Sequence, residues 1–178
     1  MKMLRSIAFV ALLTGLTTAA CQAAEDTKLS GDVQTAIEFF KKADASMQKL
    51  FEQAAGYAVF PNVGKGGFIV GGAHGNGMAY EKGKLIGEAS LTQVTVGAQI
   101  GGQELSELIF FQDKTALDRF KESKLEMSAQ VSAVAAADGV SQNAKYVDGV
   151  MVFTRAKSGL MAEASVGGQK LKFKPLAR

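Results

Sequence analysis

The sequence predicts an α+β domain with a curled, mostly antiparallel sheet or half-barrel, N-terminal helices, and one further helix near 113–123. Three observations predict it. Apolar residues recur at helical spacing from Val33 to Ala54. Beyond Tyr57 the chain becomes a series of short β-runs broken by glycine, of which it has 20. The doublets Gly66-Gly67, Gly71-Gly72 and Gly101-Gly102 fall within or beside those runs, where glycine provides a bulge, a bend or a close backbone approach. With 178 residues, 47% of them hydrophobic, the chain can build one core and needs no second domain.

Residues 1–20 read as a signal peptide. Lys2 and Arg5 supply the positive start, Ile7 to Leu13 an apolar run, and Thr17 to Ala20 small residues at its end. That run falls well short of the roughly 20 apolar residues that a spanning helix needs. Cys21 is the only cysteine, so it has no partner within the chain. It follows Thr18-Ala19-Ala20, a partial lipobox with Thr18 where a large aliphatic residue is usual, and is expected to be a lipid anchor. The competing expectation is cleavage after Ala23 or Ala24, which leaves a soluble periplasmic protein. Both place the domain outside the cytoplasm, on the periplasmic face of a bacterial membrane or free in the periplasm. Residues 21–31 are small, polar and charged, as in a flexible tether, and 32–178 form the single domain.

Val33, Ile37 and Phe40 line one helical face, with Gln34, Glu38, Lys41 and Lys42 turned outward. Met47, Leu50, Phe51 and Ala54 continue the pattern. Asp44 and Ser46 between the two groups suit helix ends, so two short helices compete with one long one. Gly56 ends the helical stretch.

The β-runs are Tyr57 to Phe60, Gly67 to Ala73, Gly77 to Tyr80, Leu85 to Val96 and Leu108 to Phe111. Asn76-Gly77 is expected at the centre of a type I′ turn, where both residues need positive φ. Glu81 to Lys84 should close the next hairpin. Asp113 is the expected N-cap of a helix reaching about Ser123, with Ala116, Leu117 and Phe120 on its apolar face. Met127 to Ala135 alternate like a strand, and Val150 to Phe153, Leu160 to Val166 and Gln169 to Lys174 complete the sheet. Lys170, Lys172 and Lys174 line one side of the last strand, as on a solvated edge protected from aggregation; a lipid-headgroup contact is the competing meaning.

The formal net charge is +3, and Lys2 and Arg5 carry two of those charges, leaving +1 on the rest. A nucleic-acid partner calls for a clear basic excess, so none is expected. His74 is the one histidine, too few for a zinc site or for a serine triad with a partner in view. The span from Gly77 to Gly83-Lys84 is one residue too long for a phosphate loop, and Leu85 stands where Ser or Thr should bind magnesium. Gly75-Asn76-Gly77 starts a dinucleotide fingerprint that fails at Tyr80. No catalytic residue, metal or cofactor is therefore expected, and Glu81, Glu88, Glu104, Glu107 and Asp113 read as surface charge.

The run from Gly56 to Phe68, GYAVFPNVGKGGF, resembles the opening signature of the SYLF family, G-x-x-V-F-P-x-V-x-K-x-G-F. The resemblance continues through Gly71-Gly72, Gly75-Asn76-Gly77, the segment Gln99 to Gln103, and Leu108 to Phe111. It implies binding rather than catalysis: eukaryotic members bind phosphoinositides and other anionic lipids, and some bind actin filaments. Bacterial members resemble exported proteins or lipoproteins. The resemblance makes Lys41, Lys42 and Lys49, with Lys65 of the signature, the expected lipid-contacting residues, although Glu38, Asp44 and Glu52 offset their charge. A membrane lipid is the expected partner, with an envelope protein or a cell-wall polymer as the alternative.

Overall fold

The computed structural model describes residues 27–66, 70–96, 103–128, 131–135, 140–142, 144–156, 163–165 and 168–176. The expected signal peptide and Cys21 lie outside these residues, as do Gly67, Gly101, Gly102 and the Ser158-Gly159 breaker.

The described residues open with helix α1 over 27–43 and, after a break at 44–46, helix α2 over Met47–Gln53. There are thus two helices, and the break falls on the residues whose side chains compete with helical hydrogen bonds. Helix α1 already contains residues 27–31, which corrects the tether expected to run to 31. Leu29 packs against the same core as Val33 and Phe40, so burial at one position secures an otherwise polar first turn.

Strands β1 (Gly56–Gly66), β2 (Val70–Glu81), β3 (Lys84–Val96) and β4 (Gln103–Phe111) follow, then helix α3 (Lys114–Lys121). Strands β5 (Ser132–Ala135), β6 (Val150–Ala156), β7 (Glu163–Ser165) and β8 (Gln169–Pro175) complete the chain. They form one sheet in the order β7-β5-β6-β4-β1-β2-β3-β8. Every neighbouring pair is antiparallel except β5 and β6. The α+β class with a curled, mostly antiparallel sheet is therefore as the sequence predicts.

Both faces of the sheet are covered, which is why β4 ends in an unbroken apolar run. Its Leu105, Ile109 and Phe111 join the concave core with Phe60, Leu91, Val152, Leu171 and the α3 residues Leu117 and Phe120. Leu108 and Phe110 face the other way, onto Val33, Phe40 and Phe51 of the first two helices. Asp113 caps α3 as expected, its Oδ1 accepting from the Ala116 N–H at 2.9 Å. Phe120 stacks on Phe111 at 4.8 Å and lies 5.3 Å from Phe173, so α3 plugs one end of the curl.

The expected turn at Asn76-Gly77 is not one. Both residues lie inside β2, Asn76 between Asn62 and Ser90, and Gly77 opposite Ala89. Glycine is required there by close packing: a Cβ at position 77 would collide with the Val59 carbonyl oxygen and come within 2.7 Å of the Phe60 ring. Consecutive positive-φ residues occur instead at Lys82 (49°) and Gly83 (76°), in the β2–β3 hairpin, and at Asp148 (53°) and Gly149 (79°), before β6, so the type I′ signature belongs to those turns. The pairing register of β1 shifts around Pro61, a residue with no N–H to offer a ladder, and its carbonyl accepts from Ser106 Oγ at 2.8 Å.

The outer backbone edge of β8 is not solvated, contrary to its expected role. Leu171 N–H donates to Leu125 O at 3.2 Å, Met127 N–H to Gln169 O at 2.9 Å, and Gly168 N–H to Met127 O at 2.8 Å. The lysines of β8 are nevertheless exposed, as their alternation predicts. Of the strand expected over 127–135, Ser132–Ala135 forms one among the described residues, and Met127 bonds to β8 instead.

Candidate functional site

A groove of about 740 Å³ opens on the outer face of the sheet, beside the first turns of α1. Its floor follows from strand register. Asn62 of β1 lies opposite Asn76 of β2, Asn76 opposite Ser90 of β3, and Ser90 opposite Lys172 of β8. This gives one polar row across four strands. The next row runs through His74, Thr92 and Lys170. Because alternate residues share a face, these side chains point outward while Ala73, Ala89, Leu91 and Leu171 enter the concave core. Lys28, Leu29 and Asp32 of α1 form the facing wall.

The charges in the groove are partly neutralised. Lys174 Nζ lies 3.1 Å from Glu88 Oε2 and offsets its charge, whereas Asp32 keeps its negative charge and accepts a hydrogen bond from Asn62 Nδ2 at 3.3 Å. On the β8 row, Lys170 Nζ lies 3.6 Å from Glu126 Oε2. Among the described residues Lys28 and Lys172 have no ion-pair partner, leaving two ammonium groups over a floor of amides and hydroxyls. Such a surface suits an anion with several acceptor oxygens. His74 lines the groove with Asp32 and Glu88, but among the described residues neither carboxylate and no serine hydrogen-bonds it. The arrangement of an oriented base beside a nucleophile is not formed there.

Of the lysines expected from the resemblance, Lys41, Lys42 and Lys49 lie on the first two helices and Lys65 lies on β1. Lys41 Nζ sits 4.8 Å from the centre of the Phe51 ring, and Lys42 Nζ lies 4.0 Å from Glu38 Oε2. Lys49 is exposed on α2. Lys65 stands near the far end of β1, its backbone between Ala73 and Gln103. Phe51 of α2 packs on Tyr57 at 4.9 Å, and the stretch of β1 from Tyr57 to Lys65 is roughly 25 Å long.

Of the carboxylates read as surface charge, Glu81 pairs with Lys121 at 2.8 Å and Glu88 with Lys174. Glu107 corrects that reading. It is fully buried, and Gln169 Nε2 donates to its Oε2 at 3.3 Å. The available signal was its place midway between Leu105 and Ile109, on the inward face of a strand. Asp44, buried at the helix break, accepts from Ser46 N–H at 2.9 Å, Ser46 Oγ at 2.5 Å and Ser141 N–H at 2.8 Å. Burial pushes its pKa up, but these hydrogen bonds outweigh burial and hold it well below the usual carboxylate range.

Among the described residues no group of three or more His, Cys, Asp or Glu could hold a metal ion, and no helix is long and apolar enough to cross a membrane. The class that the fold and the groove define is an α+β domain whose curled sheet is covered on both faces and carries an open polar groove on its outer one. Residues 92–175 match the family described as "Ysc84: Las17-binding protein actin regulator". The curated protein "Beta cell expansion factor A" of Aeromonas veronii is 30% identical over 127 residues, which cover 70% of this chain and 48% of that protein. The chain thus spans about half the length of that curated relative. It is similar to the SYLF (Ysc84) family, known as lipid- and actin-binding domains, and carries the match to it over residues 92–175. The matched segment starts within β3, so it supports the resemblance independently of the Gly56 to Phe68 signature.

Proposed function

We propose that this chain is a noncatalytic domain that binds anionic phospholipid headgroups, and that the headgroup lies in the groove between α1 and β8 rather than on the helix face of Lys41, Lys42 and Lys49. The observation that carries the reading is the row from Asn62 to Lys172 facing Lys28: two ammonium groups with no ion-pair partner among the described residues, over a floor of amides and hydroxyls. Each lysine near an anionic surface contributes about 1 kcal/mol, so Lys28 and Lys172 together favour anionic over neutral membranes by roughly 30-fold.

That affinity is modest, and the proposed Cys21 anchor on an exported, envelope-facing protein makes it sufficient. A lipid chain holds the domain at the surface and turns headgroup capture into a local event. The family's description concerns an actin regulator that binds Las17; here the shared feature is taken to be the domain, with a membrane lipid as its partner.

The test is co-sedimentation with vesicles of phosphatidylcholine, with and without phosphatidylglycerol, at low and physiological salt. Lys28→Gln with Lys172→Gln should remove most of the anionic preference, and Lys41→Gln with Lys42→Gln and Lys49→Gln should leave it. The reverse pattern moves the site to the helices. Equal binding to both vesicle types, or none, makes an envelope protein or cell-wall polymer the partner to pursue.

A further inference from the structure

Among the described residues the exposed large hydrophobic side chains are Leu85 and Leu176, at 38% and 48% exposure. A single exposed leucine is ordinary on a soluble surface. Their backbones lie close together: Leu176 N–H donates at 3.2 Å to the carbonyl of Ile86, the residue after Leu85, just beyond the point where Gly87 pairs with Pro175. Leu85 lies at the foot of the β2–β3 hairpin, whose turn residues Lys82 and Gly83 both have positive φ. Lys82 and Lys84 are exposed on that turn and have no ion-pair partner among the described residues, while the adjacent Glu81 is engaged by Lys121.

We infer that this tip, Lys82 to Leu85 together with Leu176, is the part of the domain that enters the interface of an anionic lipid bilayer. The inference rests on the lipid-binding reading above and adds the surface and its orientation. An apolar centre rimmed by free ammonium groups matches a bilayer interface, with leucine at the acyl boundary and lysine among the phosphates. The spacing along β8 agrees. Lys174, in the groove wall, stands two strand positions behind Leu176, about 7 Å, and the headgroup layer of one leaflet is about 5–8 Å deep. A tip seated at the acyl boundary therefore brings the β8 end of the groove to headgroup level.

The chain has no tryptophan, so a single introduced indole is a position-specific reporter. Leu85→Trp and Leu176→Trp, made separately, are mixed with phosphatidylcholine–phosphatidylglycerol vesicles whose acyl chains carry bromine. Gln48→Trp, exposed on α2, is the control. Emission at positions 85 and 176 should shift to the blue and be quenched, and emission at position 48 should not. Leu85→Ser with Leu176→Ser should weaken vesicle binding by about tenfold or more. Lys82→Gln with Lys84→Gln should weaken it mainly at low salt. Co-sedimentation without quenching at 85 and 176 overturns the tip and leaves the headgroup reading intact. Absence of binding to every vesicle overturns that reading, and the tip with it.

Discussion

Replacing Asp44 by Asn tests how the helical layer is held on the sheet. The Asp44 carboxylate takes the backbone N–H groups of Ser46 and Ser141 and the Ser46 hydroxyl, and Ser46 Oγ also contacts Ser141 Oγ. Residues at the α1–α2 break and in the short 3₁₀ turn Val140–Gln142 are thereby tied through one buried anion. Asparagine keeps one acceptor oxygen but presents an NH₂ group to a site built of donors. Hydrogen bonds to charged groups contribute about 1.5–3 kcal/mol each, and the loss of one to two of them puts the cost at roughly 3 kcal/mol. For a chain of this length that lowers Tm by about 6–12 °C. The pH dependence has a definite sign. The native carboxyl titrates below its ordinary value of 3.8, so between that value and the native one the unfolded chain binds more protons. Asp44 therefore stabilises the fold above pH ~4, and the contribution is lost as pH falls through the native pKa. Urea unfolding followed by circular dichroism at neutral pH and near pH 3 measures both effects. An Asp44→Asn protein within about 0.5 kcal/mol of the parent at neutral pH, or with the same acid-side slope, would refute the reasoning.

Gly77→Ala should destabilise by more than about 2 kcal/mol, because the new methyl meets the Val59 carbonyl in mid-sheet; thermal unfolding reads this directly. Gly83→Ala, at φ 76° with open space around it, should cost only about 1 kcal/mol in the same assay. Phe120→Ala, which unplugs the concave core, should cost about 3–5 kcal/mol in urea unfolding. Burial raises the pKa of Tyr57, Tyr80 and Tyr146, with the neighbouring Tyr80 adding to the rise that takes Tyr57 to about 12. Absorbance titration should therefore place the tyrosinate transitions of the folded protein above pH 10, and the stability linked to these phenols should be lost as pH rises above 10.

The strands were legible because glycine-punctuated apolar runs leave few alternatives, and the N-cap at Asp113 was legible because its chemistry is local. Asn76-Gly77 was misread for a physical reason. Glycine marks both a turn and a close backbone approach, and only the partner strand, with Val59 and Phe60, distinguishes them. Lys82-Gly83 takes the turn although lysine is an uncommon choice at positive φ, since the two strands it joins fix the geometry. The helix through 27–31 was hidden by polar composition and depends on Leu29 reaching a core made by distant residues. The groove was not legible at all. Asn62, Asn76 and Ser90 align only through the registers of β1 with β2 and β2 with β3, and distant Lys172 joins them through the pairing of β8 with β3, a connection that nothing local to either strand announces.

The stitch of residues 125–127 along β8 also governs how copies of the protein meet. Edge-to-edge strand addition requires a free donor edge on one molecule and a free acceptor edge on the next. Here the outer edge of β8 is occupied at Gly168, Gln169 and Leu171 by residues 125–127, and among the described residues the sheet otherwise ends at the three-residue strand β7. Among the described residues, growth by that route is thus left with the short β7 edge. For a domain proposed to crowd on a membrane, where local concentration is high, one sealed margin is enough to keep encounters from propagating into fibres.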